Sequence, residues 1–330
     1  MKVVHVREVA NVAATLVEGL NRLGHQAELR RLRIAGGWYP LPVKALFLPH
    51  RILEGMAANR YIKRHRFDIV HIHMAYMGWL GILGRYPYFL HCHGHDLRRN
   101  LYHPLLRWLT RRALARAYRV YYSTPDLAFD AAWARPDAVF LPNPINIDRF
   151  QPGPDNQPGD PRLLLISRLW GIKGVDTAFG IIREVKQRYP SASIHAFAWG
   201  PERRRFRDNR DVSFIPLVPY SEMPDLISRY DIVVGQFVVG SLGMSELESM
   251  ACGKPVVSYF CYPEVYDEPP PVFSAQDVAG AVEHLAALLE NPSLRRQAGE
   301  KGREWVLQHH HYLKIARMVE QDYQSFLSSI

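Results

Sequence analysis

The chain has 330 residues, 48% of them hydrophobic and 22% charged, enough to bury two cores of ordinary size. It has no uninterrupted apolar run of roughly 18 residues, and the most apolar window, Met74 to Leu90, is broken by Arg85 and Pro87, so no membrane-spanning helix is expected. Residues 1–150 carry 22 Lys and Arg against 10 Asp and Glu, a net +12, whereas residues 151–330 carry 19 against 22, a net −3. This asymmetry predicts either an anionic partner for the first half (lipid headgroups, a phosphorylated acceptor or nucleic acid) or a basic surface that serves solubility alone.

Lys2 to Val6 reads as a strand entered directly from the N-terminus, without the basic start, apolar middle and cleavage site of a signal peptide, and a cytoplasmic location is expected. Further strands are expected near residues 27–32, 68–73, 88–93, 119–123 and 138–141. A second series is expected near 162–166, 193–198, 212–215, 231–237 and 255–259, with helices between. Alternation of this kind predicts doubly wound α/β sheets. Gln151 to Pro161, rich in Pro and Gly, is expected to link two domains, 1–150 and 151–310. Helices are expected over 276–290, 294–308 and 311–330, the last with apolar positions Leu313, Ile315, Met318, Val319 and Phe326. Cys92, Cys252 and Cys261 are odd in number and set in apolar runs, which suits reduced, buried thiols; zinc-type cysteine spacing is absent.

Two stretches carry the chemistry. In Ser167 to Gly174, Arg168 and Lys173 lie five positions apart around a Gly-containing turn after an apolar strand, so both can converge on a diphosphate. Two solvated loop charges are the plain alternative. In Gly243 to Pro255, Ser245 and Glu248 have the spacing of a capping box, which needs no ligand. Ser241, Leu242, Gly243 and Met244 precede that helix and can present backbone NH groups to an anion.

The combination of R-x-x-x-x-K-G at 168–174 with E-S-M-A-C-G-K-P-V at 248–256 resembles the donor site of retaining, nucleotide-sugar glycosyltransferases of family 4. Leu141 to Phe150 and His93-Gly94-His95-Asp96 are similar to further segments of that family, so the resemblance covers nearly the whole chain. It implies a GT-B fold: two Rossmann-like domains facing a cleft, an acceptor domain first, a donor domain second, and a last helix, 311–330, crossing back to the first domain. It further implies that Glu248 binds the donor ribose, with the capping box as the rival reading. Arg168 and Lys173 would hold the diphosphate, and Ser241 to Ser245 would complete the donor site. His93 would lie near the transferred sugar, with Asp96 and Asn11 orienting it or the acceptor.

The sequence also departs from the family pattern. Family members place a glutamate eight positions before the ribose glutamate, where this chain has Gly240, so sugar recognition is expected to differ. Glu246 is not expected to substitute, because two helical residues turn it about 200° from Glu248. Arg7 to Ala13 lacks the glycine pair many members carry after the first strand.

His71 and His73, and His91, His93 and His95, alternate along two expected strands and can share faces. H-x-H pairs can bind metals, but the later histidines, 309–311, fall in a terminal helical region, and no metal site is expected. The resulting expectation is a metal-independent, retaining glycosyltransferase without cofactor. It would act on a lipid-linked, phospholipid or saccharide acceptor in glycolipid or cell-envelope synthesis, as a cytoplasmic protein peripheral on an anionic inner leaflet. Nucleic acid is not expected, because no stacking platform accompanies the charge. Alternatives are a silent nucleotide-sugar binding module and a nucleotide-sugar epimerase of the same fold.

Overall fold

The computed structural model describes residues 1–33, 43, 46–104, 106–154 and 160–330. Residues 155–159 of the expected linker lie outside the described residues. The chain divides into two compact units, residues 1–144 with 312–330, and residues 145–311.

The first unit is a parallel sheet of strands β1 (Lys2–Val6), β2 (Gln26–Arg30), β3 (Ile69–His73), β4 (Phe89–Cys92), β5 (Arg119–Tyr122) and β6 (Val139–Phe140) in the order β2-β1-β3-β4-β5-β6. Between them run helices α1 (Val12–Arg22), α2 (Leu48–His65), α3 (Trp79–Gly84), α4 (Leu106–Arg116) and α5 (Ala128–Ala134). The period of two divides each strand between two faces. Val4, Val6, Val70, Ile72, Leu90 and Cys92 enter an apolar core with Leu80, Leu114 and Leu127. His5, His71, His73 and His91 point to the other face, buried as completely as the valines.

The unit is closed by α11 (Tyr312–Leu327). This helix buries Ile315, Ala316, Val319, Tyr323 and Phe326, while its Asp322 accepts hydrogen bonds from Tyr121 (2.6 Å) and Arg119 (3.1 Å). Its close approach to α1 depends on Gly19, where a Cβ would stand 2.7 Å from the Cβ of Ala316.

The second unit is a parallel sheet of β7 (Arg162–Leu165), β8 (Ser193–Phe197), β9 (Ser213–Ile215), β10 (Ile232–Val234), β11 (Val256–Ser258) and β12 (Phe273–Ser274) in the order β12-β11-β10-β7-β8-β9. Its helices are α6 (Val175–Arg188), α7 (Met223–Ser228), α8 (Met244–Ala251), α9 (Val278–Glu290) and α10 (Pro292–His309). Leu163, Leu165, Ile232 and Val234 pack toward α6 and α9. Leu164, Val233 and Val256 pack toward α8 and α10. Burial on both faces explains the continuous apolar runs of these strands. Asp277 and Asn291 cap α9 and α10 by accepting from the NH groups of Gly280 and Leu294.

Two details differ from expectation. Strand β12 carries no apolar run of its own and pairs only at the sheet edge. Cys261 is exposed, whereas Cys92 and Cys252 are buried.

Gly19→Val is expected to destabilise the chain by about 1–3 kcal/mol, the usual cost of overpacking a tight contact. Urea denaturation measures it, and unchanged stability would mean that α11 does not rest on α1 as described.

Candidate functional site

In each sheet the strand order reverses at one point, between β1 and β3 in the first and between β7 and β10 in the second. Ligands of open α/β sheets gather at the carboxyl ends of strands flanking such a point. The second unit places Arg168 and Lys173 beyond β7, and Gly243 to Glu248 beyond β10.

Arg168 is half-buried, its guanidinium 4.6 Å over the ring of Trp199 and 5.3 Å from that of Trp170. Two aromatic faces hold the cation in place without removing its charge. Lys173 ends a short 3-10 turn, and its carbonyl accepts from the NH of Phe237 (3.1 Å), which ties the β7 turn to the loop after β10. The next residue, Gly174, has φ +75° and lies so close to Phe237 that a Cβ would meet it at 3.0 Å. Glycine is required there on both counts.

The two stretches meet at Gly243. A Cβ at that residue would stand 4.0 Å from Lys173 Nζ and 3.0 Å from Glu246 Oε2. Gly243 is the residue before α8 and has extended backbone, and the Glu246 carboxylate lies against the place a side chain would take. The approach loop is organised by Gln236, fully buried, whose Nε2 donates to Ser241 O (2.9 Å) and whose Oε1 accepts from the NH of Val239 (2.7 Å). Ser241 and Leu242 are buried, whereas Met244 and Ser245 are half-buried. A cation and the NH groups of a helix start are the groups here suited to phosphate oxygens.

The capping box is not formed. Helix α8 begins at Met244, so Ser245 already lies inside it, and no side chain caps the helix. Glu248 instead accepts a hydrogen bond from Tyr220 Oη (2.8 Å), and the Tyr220 ring lies 5.4 Å from the Arg149 guanidinium. Burial is the main cause that pushes its carboxyl up to about 8; nearby Glu246 adds to the rise, and Tyr220 and Arg149 oppose it.

Glu246, set aside on rotation alone, is buried and sends its carboxylate back from the first helical turn toward Gly243 and Lys173. Gly240 has φ +74°, and a Cβ there would stand 2.4 Å from Cys261 Sγ, so a glutamate at this position would strain the backbone and displace the Cys261 side chain.

In the first unit, Asp96 is fully buried. Its carboxylate accepts from the NH groups of Ala75 (2.9 Å), Gly94 (2.9 Å) and His93 (3.1 Å), so it fixes the loop that carries His93. His93 is half-buried and hydrogen-bonded through Nε2 to His73 Nδ1 (2.9 Å); His73 Nε2 in turn meets His5 Nδ1 (3.0 Å). Tyr323 Oη of α11 meets His71 Nδ1 (2.5 Å). Burial pulls His5 and His93 down to about 3, and His71, His73 and His91 well below the ordinary imidazole range. All five rings are therefore neutral at physiological pH. The sequence pattern pairs histidines within strands but omits His5, whose place beside His71 follows only from the pairing of β1 with β3.

Asn11 precedes α1 with φ +63° and makes no side-chain cap; Glu8 accepts from the NH of Ala14 instead. Arg7 and Ala10 also have positive φ, at +74° and +49°, so the loop keeps a glycine-like path without glycines.

The Glu248 carboxyl generates a pH prediction. Its folded value, about 8, exceeds the ordinary 4.5, so the folded chain keeps a proton that the unfolded chain releases. That stabilisation is complete below pH 4.5, falls as pH rises toward about 8, and is flat beyond. Glu248→Gln removes the titration and can still accept from Tyr220, so its stability advantage over wild type should widen across that window. Urea denaturation at several pH values reads it, and a constant difference would contradict a buried, neutral carboxyl.

Comparison with known proteins finds matches over both halves of the chain. Residues 9–149 match the family model of Glycosyltransferase Family 4, and residues 180–321 match that of Glycosyl transferase-like. The chain is 24% identical over 147 residues to one component of the phosphatidylinositol N-acetylglucosaminyltransferase of Homo sapiens, covering 42% of this chain and 30% of that protein. It is 28% identical over 194 residues to GDP-mannose-dependent alpha-(1-6)-phosphatidylinositol monomannoside mannosyltransferase of Mycolicibacterium smegmatis, covering 51% of each. The chain thus spans about a third to a half of the length of these curated relatives. Among solved structures it resembles sucrose-phosphate synthase from Thermosynechococcus elongatus (TM-score 0.78, 17% identity, 100% of both chains). It also resembles Anabaena HepE in complex with UDP-glucose (TM-score 0.70, 16% identity, 100% of both chains). With two parallel six-stranded sheets and a structural likeness that runs over the whole chain, the fold is GT-B, and each half matches a glycosyltransferase model, Glycosyltransferase Family 4 over residues 9–149 and Glycosyl transferase-like over 180–321.

Proposed function

We propose that the chain transfers a sugar from a nucleoside-diphosphate sugar to an acceptor hydroxyl with retention of configuration. The observation that carries this reading is the convergence of Lys173, Glu246 and the NH-bearing head of α8 on Gly243. Cleavage of the sugar-phosphate bond leaves negative charge on the β-phosphate. Fixed cations and backbone NH groups stabilise that charge most where it is greatest, in the transition state. Arg168 and Lys173 take this role, Ser241 to Ser245 line the donor, and Glu248 binds the ribose hydroxyls. The leaving β-phosphate accepts the proton of the acceptor hydroxyl on the same face from which it departs. No divalent ion is then needed at the diphosphate.

His93 is assigned to the transferred sugar, with Asp96 holding its loop and Asn11 on the acceptor side. With glycine at position 240, Glu246 is the carboxylate left to contact the sugar or to fix Lys173.

Arg168→Ala and Lys173→Ala are each expected to lower turnover by about two to three powers of ten with folding intact, and added magnesium to leave wild-type turnover unchanged. Transfer of labelled sugar from a panel of UDP, GDP and ADP sugars measures this. Unchanged turnover in both variants, or strict dependence on magnesium, would overturn the phosphate assignment; absence of transfer from every donor would favour a silent binding module.

The acceptor is proposed to be a lipid-linked or phospholipid molecule at an anionic leaflet, with the chain peripheral on the cytoplasmic side. The human and mycobacterial relatives are named for phosphatidylinositol-based acceptors, and no described helix is long and apolar enough to cross a membrane. Arg107, Arg111, Arg112 and Arg116 are exposed on α4 beside Trp108, which is 67% exposed. Arg111 lies over Trp133 (5.0 Å) and Arg112 over Trp108 (5.5 Å), so cations and rings form one amphipathic surface. Arg98 and Arg119, near this run in the sequence, are instead engaged by Asp126 and Asp322; Leu105 lies outside the described residues.

Sedimentation with anionic but not neutral vesicles, weakened by salt and by Arg107→Glu with Arg111→Glu, is the expected result. Indifference to both vesicle types would remove the membrane assignment and leave the transferase reading in place.

A further inference from the structure

The histidine face of the first unit has no role in holding the donor diphosphate, and His91 is its unexplained member. Its ring is fully buried, and neither Nδ1 nor Nε2 has a hydrogen-bond partner. Native interiors rarely bury a polar ring in this way unless something absent from the bare chain satisfies it.

His91 faces two rings that can act with it. One nitrogen from each of His73, His91 and His93 lies within 4.8 Å of the other two, and His73 Nδ1 and His93 Nε2 are already 2.9 Å apart. A tetrahedral zinc with bonds of about 2.0–2.1 Å holds its nitrogen ligands about 3.3 Å apart. The His73–His93 pair need open by only a few tenths of an ångström. His91 can turn toward an ion without breaking any hydrogen bond.

The surroundings have the form of a metal's outer shell. The far nitrogen of His73 meets His5 Nδ1 at 3.0 Å, and His5 Nε2 lies 3.5 Å from Tyr323 Oη. A ligating histidine is ordinarily oriented by just such a contact at its other nitrogen. His93, half-buried on the loop after β4, gives the ion a way in and keeps its Nδ1 available for another contact.

We propose that His73, His91 and His93 bind one divalent transition-metal ion of imidazole preference, of the zinc class, leaving a fourth position open to water or a substrate oxygen. This site does not depend on the diphosphate assignment, since none of its ligands belongs to the unit that carries Arg168 and Lys173.

The test uses the untagged full chain, stripped with chelator, dialysed, and titrated with zinc and with cobalt(II). The expected result is saturation at one ion per chain, visible cobalt bands of a tetrahedral nitrogen-rich site, and a rise in melting temperature with zinc. His91→Leu should weaken zinc binding by more than about 100-fold, beyond the usual loss on removing an outer-shell partner, while the stripped variant melts no lower than stripped wild type. If the leucine variant does not fold, His91→Gln, close in size, takes its place with the same expected loss of affinity. No saturable binding, or affinity unchanged by the His91 substitution as expected of an ion held at His309 to His311, would overturn the proposal.

Discussion

A parallel strand can be followed by a parallel neighbour only through a crossover, and this constraint shapes both units. Crossover helices cover both faces of each sheet, so strands such as Leu163 to Ile166 become apolar throughout and side-chain chemistry is expelled from the strand interiors. What remains open is the carboxyl edge, where loops leave for the next helix. Arg168, Lys173 and Gly243 occupy that edge at the β7–β10 reversal, and His73 and His93 occupy it beside the β1–β3 reversal. The histidine face is the exception to apolar burial. His5, His71, His73 and His93 are tolerated there because they hydrogen-bond one another or Tyr323, whereas His91 makes no such bond.

Electrostatics at the second edge combine opposite demands. Lys173 and the head of α8 favour negative charge, yet two carboxyl groups, Glu246 and Glu248, are buried within one helical turn of each other. Desolvation raises the proton affinity of Glu248, and the neighbouring Glu246 raises it further, which leaves Glu248 largely protonated near neutral pH. A diphosphate bound at this edge, as proposed, therefore does not face a fully ionised acidic pair.

The sequence made the strands legible where burial was greatest: the apolar runs at β1, β3, β7 and β10 mark strands to within a few residues, as does the helix that closes the first unit. Strand β12, two residues at a sheet edge, carried no such signal, because its pairing comes from β11 rather than from its own composition. Spacing points to Arg168 and Lys173, whereas Glu248 enters through the family resemblance and its own spacing leaves it open to a capping box with Ser245, since a one-residue difference in helix start decides whether Ser245 can cap. Glu246 was passed over because helical rotation describes direction and not reach; a first-turn side chain can fold back over a glycine. His5 and Gln236 act through tertiary neighbours that no local pattern contains.

The central claim is that the β7 and β10 turns together make a diphosphate cradle. A crystal structure of the chain with the nucleoside diphosphate that gives the largest thermal shift tests it most directly. The account predicts the diphosphate beside Lys173 and Arg168, its oxygens on the NH groups at the start of α8, with the ribose hydroxyls on Glu248. A diphosphate bound away from Gly243, with Lys173 and Glu248 untouched, would contradict it.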